Sequence, residues 1–190
     1  MLKNKKKGFT FLEVIVTIGI LGILLSLGLV NYKAVKEYLA LKESTNKIIS
    51  TYYYYTNKAM IDGKDFQIKN FLKEKRIEII HLENSEKIET LELSKNLRYT
   101  VIYENIKLNY IESITNKWGN LNNSFTIYIF GKNNLAKYRI AFYNYQISKI
   151  LKINIYKNVS ASEATYENIV NYHYSVGGEN HIGWKKEIYY

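Results

Sequence analysis

The stretch "KKKGFTFLEVIVTIGILGILLSLGLVNY", residues Lys5 to Tyr32, decides how this chain is built. Between Phe9 and Val30 the only charged side chain is Glu13. A transmembrane helix needs roughly 20 predominantly apolar residues, so residues 9–30 are long enough to span a bilayer. Lys3 and Lys5 to Lys7 stand just ahead of the run. The positive-inside rule assigns such a cluster to the cytoplasmic side, with the C-terminal bulk outside. A secretory signal peptide is the competing reading, but its apolar region runs about 7 to 15 residues and ends in a small-residue cleavage site. Gly22 to Leu25 and Ser26 to Leu29 imitate that only weakly. The glutamate is the anomaly. An ionisable group in hydrocarbon costs about 2.5 to 3.5 kcal/mol on insertion scales, so Glu13 calls for a partner.

Working outward, the helical pattern continues past the apolar run. Ala34, Tyr38, Leu41, Thr45, Ile48, Tyr52, Tyr55 and Ala59 step by fours and threes, with Lys36, Glu37, Lys42, Glu43 and Lys47 off that stripe. This spacing predicts one continuous helix, amphipathic over residues 31–62 and ended by Asp62-Gly63. At 1.5 Å per residue the helix from Phe9 to Asp62 is about 80 Å long. Proline is absent, so nothing forces a kink.

After Gly63 the period changes. A short helix is expected around Phe66 to Lys75, then strands at Ile77 to Leu82, Ile88 to Leu93, Leu97 to Glu104 and Ile106 to Glu112. The clearest strands follow: "FTIYIF" at 125–130, "LAKYRIAFYN" at 135–144 and "KILKINIYK" at 149–157, with Gly131 to Asn134 as a hairpin turn between the first two. Residues 160–190 read as irregular, and no internal repeat is present. The fold class that results is α+β: a long N-terminal helix packed on a C-terminal antiparallel β-sheet, with residues 63–190 as one β-rich globular domain. A chain of 190 residues has room for one such core plus an anchor.

The net charge of +10 suggests nucleic acid or anionic lipid as a partner, although Lys3 and Lys5 to Lys7 supply part of it. There are no cysteines, which removes disulfides, thiolate metal sites and cysteine nucleophiles.

Lys5-Lys6-Lys7-Gly8-Phe9-Thr10-Phe11-Leu12-Glu13 resembles the class III leader of type IV pilin-like proteins: pilins, the pseudopilins of type II secretion and the competence pseudopilins. A short basic peptide ends in glycine, an aromatic residue follows, and glutamate is fifth in what remains. Gly22 and Tyr32 also fall where that family commonly has glycine and tyrosine, while Val30 replaces its frequent proline. The resemblance implies residues 1–8 as leader, a cut between Gly8 and Phe9 by a membrane-embedded prepilin peptidase, methylation of Phe9, and Glu13 as the assembly residue. Glycine before the cut leaves the backbone open to close approach. The new amine of a neighbouring Phe9 would then partner Glu13, since a desolvated opposite-charge pair is worth far more than an exposed one. An ordinary single-pass anchor, with Glu13 reaching toward the headgroups, explains neither the leader nor the long helix. Asn105 to Leu108 and residues 125–157 are similar, more weakly, to the C-terminal sheet of H-type minor pseudopilins and the related competence subunit. Tyr156-Lys157 stands in place of their usual Gly-Arg.

The implied function is a minor pilin or pseudopilin subunit of a type IV pilus-like filament serving secretion, DNA uptake or pilus biogenesis. Its partners would be prepilin peptidase, other subunits, an assembly platform protein with its ATPase, and the membrane. Such a subunit sits in the cytoplasmic membrane, then in a surface or periplasmic filament. The alternative is a membrane-anchored module that binds DNA or a surface. Tyr52 to Tyr55 could stack on nucleobases with Lys47 and Lys58 nearby, but packing of one side on the sheet is the simpler reading. His81, His173 and His181 lack metal-ligand spacing, and Asp62-Gly63-Lys64-Asp65 lacks the distal glutamate of a calcium loop, Lys73 standing there. Gly177-Gly178 is in no phosphate-loop context, and no nucleophilic triad is suggested. No enzyme, cofactor or metal is expected.

Overall fold

The computed structural model describes residues 10–144 and 151–188, the side chains of residues 27, 30 and 31 excepted. Packing divides the chain into two units, 1–38 and 39–190. The leader 1–8, Phe9 and the expected strand start at Lys149 lie outside the described residues.

Helix α1 runs from Phe11 to Asp62. It stops where the spacing predicts, at Gly63, whose φ of +66° is the left-handed conformation that ends helices and that glycine adopts without a Cβ penalty. In the first unit its apolar residues are exposed all around, Phe11 at 82% and Leu25 at 68%. A helix that is apolar all round is one that other apolar matter must cover.

In the second unit the stripe is buried from Leu41 through Thr45, Ile48, Tyr52 and Tyr55 to Ala59. It packs against a four-stranded antiparallel sheet, order β3-β2-β1-β6, and a six-stranded one, order β10-β9-β8-β7-β4-β5. The strands are β1 (Phe66–Phe71), β2 (Arg76–His81), β3 (Lys87–Glu92), β4 (Arg98–Tyr103), β5 (Ile106–Leu108), β6 (Tyr110–Thr115), β7 (Phe125–Phe130), β8 (Ala136–Tyr143), β9 (Lys152–Asn158) and β10 (Trp184–Glu187). Tyr52 carries much of the junction between helix and sheets. Its ring lies 4.4 Å from Phe142 and 5.9 Å from Phe125, and its hydroxyl accepts a bond from the Asn70 amide on β1 at 2.6 Å. Tyr55 meets Phe66 edge-on and donates to Glu89 on β3 at 3.0 Å, while Ser44 and the Tyr99 hydroxyl on β4 are 2.8 Å apart. Full burial of each large side chain contributes about 1.5 to 3 kcal/mol. Tyr52→Phe keeps the packing and leaves the buried Asn70 amide short of an acceptor. It should cost about 1 to 2 kcal/mol by denaturant unfolding.

Three sequence expectations are corrected. Residues 66–71 form strand β1, not a helix, because Phe66, Ile68 and Asn70 alternate inward with a period of two. The single strand expected over 106–112 is two strands in different sheets. The inward positions shift by an odd step, from Leu108 to Ile111, Ser113 and Thr115, which one strand cannot accommodate. At the break, the Asn109 carbonyl accepts from Leu72 N–H at 2.8 Å.

The third correction is the tail, which is ordered and not irregular. It forms α2 (Ile169–His173), α3 (Val176–Glu179) and β10, which pairs with β9. Ala161, Ala164, Ile169 and Tyr172 cover Ile102, Tyr128 and Phe130, so the six-stranded sheet is buried on both faces. The Gly131 to Asn134 turn is as expected: Asn134 N–H donates to the Gly131 carbonyl at 3.1 Å, with Asn134 at φ 57°.

Candidate functional site

The N-terminal segment begins with a capping arrangement around Glu13. Thr10 N–H and Thr10 Oγ1 donate to Glu13 Oε2 at 2.7 and 2.9 Å, and Glu13 N–H donates to Thr10 Oγ1 at 3.3 Å. This reciprocal Thr-x-x-Glu capping box satisfies orphan donors of the first helical turn, and the carboxylate also complements the positive end of the helix dipole. The sequence carries the same pattern as Thr10-Phe11-Leu12-Glu13, a helix-start signal four residues long. Within a single chain, then, Glu13 is held by Thr10. Both bonds fall on Oε2, and Oε1 takes part in no hydrogen bond among the described residues.

Further along the segment the polar side chains turn back onto their own helix. Thr17 Oγ1 donates to the Glu13 carbonyl and Ser26 Oγ to the Ile23 carbonyl, both at 2.7 Å. These bonds keep the Thr17 and Ser26 hydroxyl donors on their own helix, which suits an apolar environment. Gly22 has open space around it and Tyr32 is exposed. Gly8 and Phe9 lie outside the described residues. Among the described residues no helix is long and apolar enough to cross a membrane; the expected span, 9–30, lies partly outside them.

In the second unit the tyrosine run divides as its helical spacing predicts: Tyr52 and Tyr55 are buried, Tyr53 and Tyr54 exposed. The histidines, spaced apart in sequence, are partly gathered by the fold. His173 on α2 has Nδ1 2.8 Å from the Tyr128 hydroxyl, and Arg139 Nη1 donates to the Gly178 carbonyl at 2.8 Å and to His181 Nδ1 at 3.0 Å. Arg139 is buried on β8 and Nε has no hydrogen-bond partner among the described residues. Burial, with Arg139 and His181 adding repulsion, pushes the His173 imidazole down to about 4. His181 is lowered for the same reasons, burial first and Arg139 next. An arginine can only donate, so His181 Nδ1 accepts and the ring is neutral with its proton on Nε2. His81 stands apart, edge-on to Phe66.

Among the described residues no group of three His, Asp or Glu could hold a metal ion. Asp62 is paired with Lys58 at 2.8 Å, and the Asp65 carbonyl accepts from Leu82 N–H. Gly178 sits where a Cβ would come within 2.0 Å of the Tyr172 carbonyl oxygen, so this glycine serves close packing.

Compared with known proteins, residues 3–29 match the model described as the prokaryotic N-terminal methylation motif. No curated protein matches the sequence. Two solved structures of the minor pseudopilin EpsH from the type II secretion system of Vibrio cholerae are similar in part. One is 16% identical, covers 59% of this chain and 94% of its own, and has a TM-score of 0.46. The other is 15% identical, covers 60% and 92%, and has the same TM-score.

Proposed function

We propose that this chain, a type IV pilin-like protein by the methylation motif at its N-terminus, is a minor pilin or pseudopilin subunit, cut by prepilin peptidase and assembled into a filament. The motif over residues 3–29 carries the reading. It spans the basic leader, Gly8, Phe9, Glu13 and most of the apolar run, the features that processing, membrane storage and helix packing each require. The helix of the first unit anchors the subunit before assembly with the basic leader on the cytoplasmic side. Its apolar surface, exposed all around, is covered first by lipid and then by neighbouring subunits. The capping box gives the stored state a physical basis, since Glu13 accepts two bonds from Thr10 before any neighbour arrives. In the filament a neighbour's Phe9 amine pairs with the same carboxylate, and any stagger that misses the amine leaves the charge uncompensated. The platform protein and its ATPase drive the assembly.

Mass spectrometry of the mature N-terminus tests the reading. The expected chain begins at methylated Phe9, and Gly8→Val leaves a precursor that retains Lys5 to Lys7, because a β-branched side chain blocks approach to the bond. A mature chain that begins at Met1, or that is cut after residue 25 or later, overturns it.

A further inference from the structure

Three connections of the second unit meet at an open cleft of about 550 Å³, within the range of about 300 to 1,000 Å³ usual for small-ligand sites. Asp65 comes from just before β1, Leu82 and Glu83 from the turn between β2 and β3, and Asn116, Lys117 and Trp118 from the loop between β6 and β7. Trp118 is the unusual member. Its side chain is 56% exposed, although tryptophan has a large area to bury. The loop that presents it is firmly held. Asn116 Oδ1 accepts from Trp118 N–H and from Asn120 N–H, both at 3.1 Å, and Asn116 N–H donates to the Asn120 carbonyl at 3.0 Å. Gly119, at φ +78°, donates to the Asn116 carbonyl at 2.9 Å, and its own carbonyl accepts from Leu151 N–H at 2.8 Å. On the other side Leu82 N–H donates to the Asp65 carbonyl at 3.1 Å, and the Leu82 side chain is exposed. The cleft is therefore pre-organised, which lowers the cost of filling it.

We infer that this cleft binds a saccharide, with one face of a pyranose ring laid on the Trp118 indole and its hydroxyls bonded to the polar groups around it. The wall carries both signs, Asp65 and Glu83 against Lys117, and this disfavours strongly charged ligands. Two carboxylates repel a phosphate or any other anion. A cation meets Lys117, whose Nζ already lies 5.4 Å from the centre of the same ring. A wholly apolar ligand would cover three charged groups and give them no hydrogen bond, which is unfavourable. A sugar ring has the remaining combination. The C–H groups on one of its faces carry partial positive charge toward the negative face of an aromatic ring, and the hydroxyls at its edge both donate and accept. The Asp65 and Glu83 carboxylates, which make no side-chain hydrogen bond or ion pair among the described residues, accept from such hydroxyls. Lys117 Nζ and the Asn116 amide donate to them, and Leu82 adds apolar surface at the edge. The proposal goes beyond filament assembly and does not depend on it.

The test uses the full chain in a polyoxyethylene detergent, which carries no sugar headgroup. The probes are β-1,4-linked hexamers of glucose and of N-acetylglucosamine, and α-linked hexamers of glucose and of mannose. Saturation-transfer NMR should show at least one of them bound, with a dissociation constant of about 0.1 to 1 mM and transfer strongest to the C–H protons of one ring face. The best probe names the source of the sugar. Affinity should change less than about twofold between 50 and 500 mM salt, because a neutral ligand is not screened. Trp118→Ala should weaken binding by about tenfold or more. Asp65→Ala with Glu83→Ala should do the same from two other connections, while Asp65→Asn with Glu83→Gln should keep most of the affinity, since amides still accept from hydroxyls. Tyr54→Ala removes an exposed ring on α1 and should change affinity less than about twofold. Unchanged thermal unfolding confirms that the variants are folded. The inference is overturned if no probe binds at about 10 mM, if Trp118→Ala and Tyr54→Ala lose affinity equally, or if binding falls steeply with salt. Competition by tetramethylammonium beyond its ionic strength also overturns it, since that marks a cation site.

Discussion

Glu13→Val is expected to insert, to be cut after Gly8, and to fall to less than about a tenth of wild-type incorporation into filaments. Removing a charge from near the start of the apolar run makes insertion easier, by less than the about 2.5 to 3.5 kcal/mol of a charge at a helix centre. On the proposed reading the bond that is cut lies on the other side of Phe9 and depends on the backbone at Gly8. On the proposed pairing incorporation fails, because breaking a desolvated ion pair by deleting one partner costs about 3 to 5 kcal/mol, more than enough for a tenfold loss. The capping box makes a sharper comparison possible, because Glu13 caps its own helix and a single deletion removes that role together with the proposed pairing. Glu13→Gln keeps an acceptor for Thr10 N–H and removes the charge; Thr10→Val removes the hydroxyl and keeps the charge. If pairing with a neighbour's amine is what assembly needs, Glu13→Gln fails nearly as badly as Glu13→Val, and Thr10→Val loses only the share due to helix capping, about 0.5 to 2 kcal/mol of helix stability. The measurement is mature membrane-held protein against protein recovered in sheared or cross-linked filaments. Wild-type incorporation of Glu13→Gln would mean that Glu13 acts by capping its own helix, and the pairing would be refuted.

What could be read from the sequence, and what could not, follows the range of the interactions. Helix α1 was legible from spacing alone, since Leu41, Thr45, Ile48, Tyr52, Tyr55 and Ala59 repeat over many turns and every one is buried. Strand β7 was legible as well, but its meaning was only half read. In "FTIYIF" the positions alternating with the inward Phe125, Ile127 and Ile129 are Thr126, Tyr128 and Phe130, and a strand with large apolar side chains on both faces belongs to a sheet covered on both sides. That signal called for a covering layer, and the only chain left to supply it was the tail. The tail itself gave no periodic signal because α2 and α3 are five and four residues long. Helices that short are marginal alone and hold only through tertiary contacts. Those contacts come from far away in sequence: Gly178 is tied to Arg139 across 39 residues and His173 to Tyr128 across 45. At the N-terminus the motif is plain in the sequence, and the capping box is a four-residue signal lying inside it.

The C-terminal layer should be the acid-sensitive part of the domain, and His173 should be the cause. Its imidazole titrates at about 4 in the folded chain against an ordinary 6.5, because burial opposes the charged form and Arg139 and His181 repel it. The unfolded chain therefore takes up this proton first as pH falls. Stability is complete above about pH 6.5, declines as pH drops from there toward about 4, and the full loss of about 3 kcal/mol is reached below that. The structure shows where the strain arises. A proton on His181 would set two donors face to face, with Arg139 Nη1 at 3.0 Å, and a proton on His173 would place a second buried cation near an arginine that already has Nε without a hydrogen-bond partner among the described residues. Trp184 reports on this layer, since its indole donates to the Tyr172 hydroxyl at 2.6 Å and the ring stands 6.1 Å from Tyr128. With Trp118→Phe as background, urea unfolding followed by Trp184 fluorescence should show a midpoint that falls steeply between pH 7 and pH 4.5. Carboxylates titrate in the lower part of that range too, so the decisive quantity is the difference from His173→Asn, which keeps an oxygen for the Tyr128 hydroxyl and has nothing to protonate. His173→Asn should flatten the pH dependence by about 2 to 3 kcal/mol, and Arg139→Met should flatten it partly by removing the second cause. Identical pH slopes in wild type and His173→Asn would show that His173 carries none of the acid sensitivity.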